Sequence, residues 1–241
     1  MKFFQRALER RKAKRLDVIH GPERKPKYPN DLRLLLASYP PNVQRHPGAP
    51  SSLTDAEIDD NFDQFLLVRD DRLRVVGELL AATKDVKVDV SPLLDPAQDP
   101  SGSLNAIEMW IDSYVPERSR LPVSAMVNAP VYDFYASRRD GADIIFSLAV
   151  DLGLLVGEAL RLRRAHWQWG VDRHPSNGPA CDEPMNHFRR IVLIDQSPSS
   201  AGMVHEMDVV MLSTMYSWRS RSSAMPRLAH WLNGWIGAED S

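Results

Sequence analysis

The stretch that most constrains this chain is SLAVDLGLLVGEALRLRRAHWQWGVD, residues 147–172. From about Asp143 to Arg164 its apolar residues fall on two adjacent helical stripes. Ile145, Ala149, Leu152, Val156 and Ala159 form one; Phe146, Val150, Gly153, Gly157 and Leu160 form the other. Ser147, Asp151, Leu154, Glu158 and Arg161 point the other way. So wide an apolar surface predicts a helix that is largely buried. Trp167, Trp169 and Val171 then alternate with His166, Gln168 and Gly170, the pattern of a half-buried strand. Asp151 divides the apolar run and Glu158 ends it, well short of the ~20 residues that span a bilayer.

Gly153 and Gly157 stand one turn apart inside this helix. Each costs about 1 kcal/mol relative to alanine, which is acceptable where another backbone must come close. They lie within the helix rather than in a loop before its N-terminus, so they do not form a phosphate cradle. Gly153, Gly157, Trp167 and Trp169 are therefore read as structural. Glu158 follows Asp151 by two turns on the same side, and paired carboxylates can do acid–base work or hold a metal. Arg161, three residues on, offers Glu158 an ordinary helix-surface partner. Glu158 is kept as a candidate binding residue.

The flanking elements are mostly helical. A short helix is expected at Asp31–Ser38. Thr54, with Asp55 and Glu57 after it, marks a helix start. That helix runs to about Val68, and Leu73–Thr83 is either its continuation or a second helix after a break at Asp70-Asp71. Ser101 or Ser103 caps a helix Leu104–Tyr114 that buries Leu104, Ile107, Trp110 and Ile111. Residues 203–218 read as a helix, and Pro226 opens a last one bearing Leu228, Trp231, Leu232 and Trp235. Three stretches read as strands: VKVDV (86–90), the tryptophan segment, and RRIVLID (189–195); VSAMV (123–127) is a fourth possibility. This order lacks a regular βαβ alternation. It predicts a mostly helical α+β domain over residues 51–241 with a small antiparallel sheet.

Ahead of that domain lie a basic arm and a Pro-rich linker, residues 1–50. Residues 1–27 hold ten Lys/Arg against three acids, a net +7, which leaves −9 on residues 28–241 of a chain whose overall charge is −2. Residues 3–16 suggest a short helix within the arm. Arg10, Arg11, Lys14 and Arg15 are its candidate contacts for an anionic surface, a nucleic acid or an acidic protein. Seven prolines between Pro22 and Pro50 give the linker its character. The single cysteine, Cys181, rules out an intramolecular disulfide, and the N-terminus lacks the apolar core of a secretory signal. A cytoplasmic protein without a transmembrane segment is expected.

Catalytic motifs are not found. His174, Cys181 and His187, even with Asp182, Glu183 or His205, match no zinc spacing. QSPSSAG lacks the lysine and glycine order of a phosphate-binding loop, and its serines serve turns and caps. No G-x-S-x-G elbow occurs. No metal or cofactor is expected. The histidines His174, His187 and His205, with Glu158, would be the residues of an enzyme of unrecognised type.

The 95–170 region resembles uncharacterised bacterial domains that carry an S-L helix with an acidic residue, an L-G-x-x-x-G-E helix and a tryptophan strand. The matching positions are Ser103, Leu104, Glu108, Leu152, Gly153, Gly157, Glu158 and Trp169, within about a third of the chain. The resemblance implies an accessory or immunity-type protein and no established chemistry. Together these features lead to a non-catalytic bacterial protein-binding module, an immunity or adaptor protein. The alternatives are an enzyme using Glu158 and the histidines, and an anion- or nucleic-acid-binding accessory protein using the arm.

Overall fold

The long apolar helix sits at the centre, as its two stripes require. A computed structural model describes residues 27–115, 134, 137–178, 187–197, 203–217 and 228–237. Along the chain the elements are α1 (Pro29–Ala37), α2 (Asp55–Ala82), α3 (Ser91–Leu94), α4 (Ser101–Tyr114), α5 (Ile144–Arg163), β1 (Trp167–Val171), β2 (Ile191–Asp195), β3 (Val204–His205), α6 (Met207–Ser217) and α7 (Leu228–Gly237). The fold is α+β, mostly helical, with a three-stranded antiparallel sheet in the order β1-β2-β3. Among the described residues no helix is long and apolar enough to cross a membrane.

α5 is buried along Phe146–Ala149 and again along Asp151–Leu160. α6 lies along it, and α2, α3, α7 and β1 pack on its other sides. Its last turn carries Arg161 and Arg163, which suit the negative end of the helix dipole. Arg163 also ties α3 and the loop between α3 and α4 to this end. Its guanidinium donates to the carbonyls of Ala159 and Leu93 at 2.9 Å, and to those of Pro92, Asp95 and Gln98 at 2.6–2.8 Å.

α2 is a single helix of 28 residues, with no break at Asp70-Asp71. Both aspartates face solvent, and neither glycine nor proline interrupts the backbone there. The start is a capping box. Thr54 Oγ1 accepts from Glu57 N, and Glu57 Oε2 accepts from Thr54 N. Val75, Val76, Leu79 and Leu80 carry its C-terminal half into the core. α4 begins at Ser101, three residues before the expected Leu104; Pro100 occupies the N-cap position without a side-chain cap, and Asp99 just before it accepts from Ser101 N and Oγ.

Two strand expectations change. Residues 86–90 are not a strand. Val88 is buried, with Val86 and Val90 against the core, but no strand among the described residues pairs with this segment, and the alternation reflects packing. Residues 204–205, expected within a helix, instead extend the sheet by pairing with Ile194 and Leu193. The helix starts only at Met207, where Asp208 Oδ1 accepts from Val209 N in the first turn. The segments 3–16 and 123–127, and Pro226, lie outside the described residues.

The segment after α1 is strapped to the body. Leu32 and Tyr39 are core residues. Asn42 N donates to Ser147 Oγ at 2.7 Å, Arg45 N donates to Gln64 Oε1 at 2.7 Å, and His46 exchanges two backbone hydrogen bonds with the Asn61 amide. Residues 39–46 thereby run across α2 and α5. In the aromatic cluster near the sheet Trp231 and Trp235 are half-buried, packing with Trp167 around His205.

Candidate functional site

Asp151, fully buried in the middle of α5, is held by four groups. Tyr39 Oη and Asn42 Nδ2 donate to it at 2.6 and 2.7 Å, Arg72 Nε at 3.0 Å, and Arg72 Nη2 makes a further contact. Arg72 Nη2 also reaches Pro40 O at 2.9 Å. Burial raises the carboxyl's pKa, and the donors, Arg72 first, oppose that shift. Burial and the neighbouring carboxylate push the Tyr39 phenol far above its ordinary range. This hub locks the strap against α2 and α5. The floor and one wall of a cleft follow from it.

The cleft opens between the strap, the loop Gly48–Leu53, α2, α5, β1 and the start of α6, with an interior of about 90 Å³. Val43, Leu53, Ile58, Phe65, Val68, Leu154, Trp169 and Met207 give it apolar walls, and Arg139, Arg189, Arg190 and Asp208 line it with charge.

Gly153 and Gly157 shape the cleft by what they allow to approach. A Cβ on Gly153 would lie 2.7 Å from backbone atoms of Met207 and Asp208, so the start of α6 rests directly on α5. A Cβ on Gly157 would lie 2.4 Å from the Trp169 ring. That ring is held at its Nε1 by Glu158. Glu158 Oε1 accepts from Trp169 Nε1 at 2.6 Å, while Arg161 grips the carboxylate from Nε and Nη2 at 2.8–3.1 Å. Phe65 meets the ring edge-on at 5.2 Å. Glu158 is thus a buried holder of the Trp169 wall, and both its oxygens are engaged.

Arg139 is the unusual charge. It is only 7% exposed, and its φ of 60° lies in the left-handed region that non-glycine residues seldom adopt. Its backbone is fixed by a relay in which Ser137 Oγ accepts from Arg139 N and Ser147 Oγ donates to Arg139 O at 2.6 Å. The guanidinium lies 4.9 Å over the Phe134 ring. Its Nε is buried without an acceptor. Burial pushes its pKa down to about 10, with Asp208 raising it and Arg190 lowering it, so it remains charged at neutral pH.

Arg189 repeats the pattern. Its φ is 65°, and its Nε is likewise buried without an acceptor, although Nη2 donates to Leu53 O at 2.7 Å and Asp55 Oδ1 at 3.0 Å. Arg139 and Arg189 are the two non-glycine residues with positive φ among the described residues, and both line the cleft. Arg190 differs, being paired with Glu206 and with Asp208 Oδ2, the latter at 2.6 Å.

The histidines are elsewhere. Buried Asp172 joins two of them: His187 Nδ1 lies 2.8 Å from Asp172 Oδ2, and His174 N donates to Asp172 Oδ1 at 3.0 Å. His205 stacks on Trp167 with ring centroids 4.7 Å apart and meets Trp235 at 4.3 Å, and burial pushes its pKa down to about 4. None of Glu158, His174, His187 and His205 lines the cleft. Among the described residues no group of three or more His, Cys, Asp or Glu is placed to hold a metal. Arg10, Arg11, Lys14, Arg15 and Cys181 lie outside the described residues.

Sequence reasoning missed Arg72, Arg139 and Arg189. The one local signal was Asp140-Gly141 after Arg139, which marks a turn. Compared with protein-family models, with curated proteins and with solved structures, the chain has no match.

Proposed function

We propose that this protein works by binding, and that its ligand presents an anionic group to the cleft lined by Arg139 and Arg189. One observation carries the reading: Arg139 and Arg189 both line the cleft, and each carries a buried guanidinium Nε that has no acceptor. Leaving such a donor unpaired costs about 1–3 kcal/mol, more for a charged group. The left-handed backbone at both residues adds about 1–3 kcal/mol each. Buried polar groups are otherwise paired almost without exception. A bound anion supplies the absent acceptors and recovers the cost of the unpaired donors, while the strained backbone holds both side chains in place for it.

This reading keeps the expectation of a binding module and moves its recognition element from the basic arm to the body. The resemblance to accessory and immunity-type domains is in keeping with it, since a partner protein can present the anion.

The test is thermal unfolding of the full chain at constant ionic strength with acetate, sulfate, phosphate and small aromatic acids. A ligand at a hundred times its Kd stabilises by about 2.7 kcal/mol, or several degrees. At least one anion should raise Tm in the wild type, and the rise should shrink in Arg139→Gln and Arg189→Gln. If no anion raises Tm, the reading fails.

A further inference from the structure

Resting on that reading, we infer that the cleft selects a monoanion, a carboxylate carried on a flat apolar body, over a phosphate. The charge around the orphaned donors sets the limit of one. Arg189 already gives Nη2 to Asp55 and the Leu53 carbonyl, and Arg190 is paired with Glu206 and Asp208. Among the described residues Arg139 is the one of the three with no carboxylate partner. Asp208, already balanced by Arg190, is itself part of the lining, so a second negative charge on the ligand would lie near a carboxylate with no further cation to offset it. Such like-charge proximity is unfavourable where water screens little. A carboxylate presents one charge and two coplanar oxygens, suited to receive N–H groups from guanidinium forks.

The rest of the wall says what the carboxylate is attached to. The amides suited to reading hydroxyls are engaged in the strap: Asn42 with Asp151, Asn61 with His46, and Gln64 with the Val43 carbonyl. What remains for a ligand body is the ring edge and face of Phe65 and Trp169 with Leu53, Leu154 and Met207. That surface suits an aromatic or branched aliphatic group rather than a sugar. The shared chemistry comes from two sources, a free apolar carboxylic acid or the C-terminal carboxylate of a peptide ending in an apolar residue.

The experiment is calorimetric titration of the wild-type full chain with four probes: 3-phenylpropionate, 3-phenylpropionamide, phenyl phosphate and N-acetyl-glycyl-phenylalanine. The acid should bind at 1:1 and at least tenfold more tightly than the amide or the phosphate. Comparable affinity for the peptide acid identifies a chain terminus as the source, and its failure beside a binding phenylpropionate identifies a free acid. Phenyl phosphate binding as tightly as the acid, or more so, overturns the carboxylate assignment and leaves the anion cleft standing. Binding of acid and amide alike overturns both. Because each comparison uses the wild type, no variant has to fold for the result to count. Arg139→Lys, which keeps charge but removes the fork, should weaken the acid at least fivefold with an unchanged circular dichroism spectrum.

Discussion

Gly153→Ala and Gly234→Ala are the same chemical change in two helices, and the structure assigns them opposite signs. Alanine gains about 1 kcal/mol over glycine in a helix interior, whatever its surroundings. At Gly234, exposed in α7, a Cβ meets nothing within 4 Å, so that gain is realised. At Gly153 the Cβ would stand 2.7 Å from Asp208 N and Cα and from Met207 C. Ordinary contact begins at 3.4 Å, so the start of α6 must move about 0.7 Å, and it is backbone, which cannot rotate aside. Overpacking costs about 1–3 kcal/mol, and against backbone that cannot yield the upper part of that range, about 2–3 kcal/mol, applies and exceeds the propensity gain. Urea unfolding should show Gly234→Ala more stable than wild type by up to about 1 kcal/mol, and Gly153→Ala less stable by about 1–2 kcal/mol. In melting temperature each kcal/mol amounts to about 2–4 °C at this chain length. A Gly153→Ala protein as stable as wild type would refute the close approach of α6 to α5, and with it the position of Asp208 in the cleft.

Other perturbations test the parts around the cleft. Asp151→Asn strands Arg72 in the core and should cost about 3–5 kcal/mol in chemical unfolding, whereas Asp151→Leu with Arg72→Met should cost less than the single change. His205 binds its proton less readily folded than unfolded, so falling pH protonates the unfolded chain first. Its contribution is neutral above about pH 6.5, and stability is lost as pH falls from there to about 4, by an amount on the order of 3 kcal/mol. His205→Phe should flatten that limb of a stability–pH curve. Trp169→Phe keeps most of the apolar wall but withdraws the Nε1 donor from Glu158. It should cost about 1.5 kcal/mol in urea unfolding, while Glu158→Gln, retaining an acceptor oxygen, costs less.

What the sequence disclosed follows the range of each interaction. The Thr54–Glu57 capping box needs only four consecutive residues, and the wide stripe of α5 needs only helical spacing, so both were legible. The antiparallel sheet was expected because no βαβ alternation runs through the chain, and β1 and β2 pair in that way although residues 172–190 separate them. The strand expected at 86–90 failed because alternation records which side is buried and not whether a partner strand exists. β3 was absorbed into a helix because Val204, Met207 and Met211 share helical spacing. The Arg72–Asp151 pair spans 79 residues, and no local pattern joins them. Arg139 and Arg189 were hidden for a further reason. Their left-handed backbones and orphaned Nε groups depend on what surrounds them, and in sequence they are ordinary arginines beside charged neighbours. Glu158 was read as a candidate binding residue with Arg161 as an ordinary helix partner; the Arg161 pair is present, and the Trp169 Nε1 donor, which no helical spacing reveals, completes its contacts.

The central claim is that the buried Nε–H groups of Arg139 and Arg189 are the donors that receive the ligand. The most direct measurement is the arginine Nε–Hε region of a ¹⁵N–¹H spectrum of the full chain, assigned with Arg139→Lys and Arg189→Lys, before and after saturation with 3-phenylpropionate. Two Hε resonances should be slow to exchange with solvent in the free protein, and both should move downfield on binding as they gain a carboxylate acceptor. A protein saturated with the acid in which neither resonance moves would contradict the account.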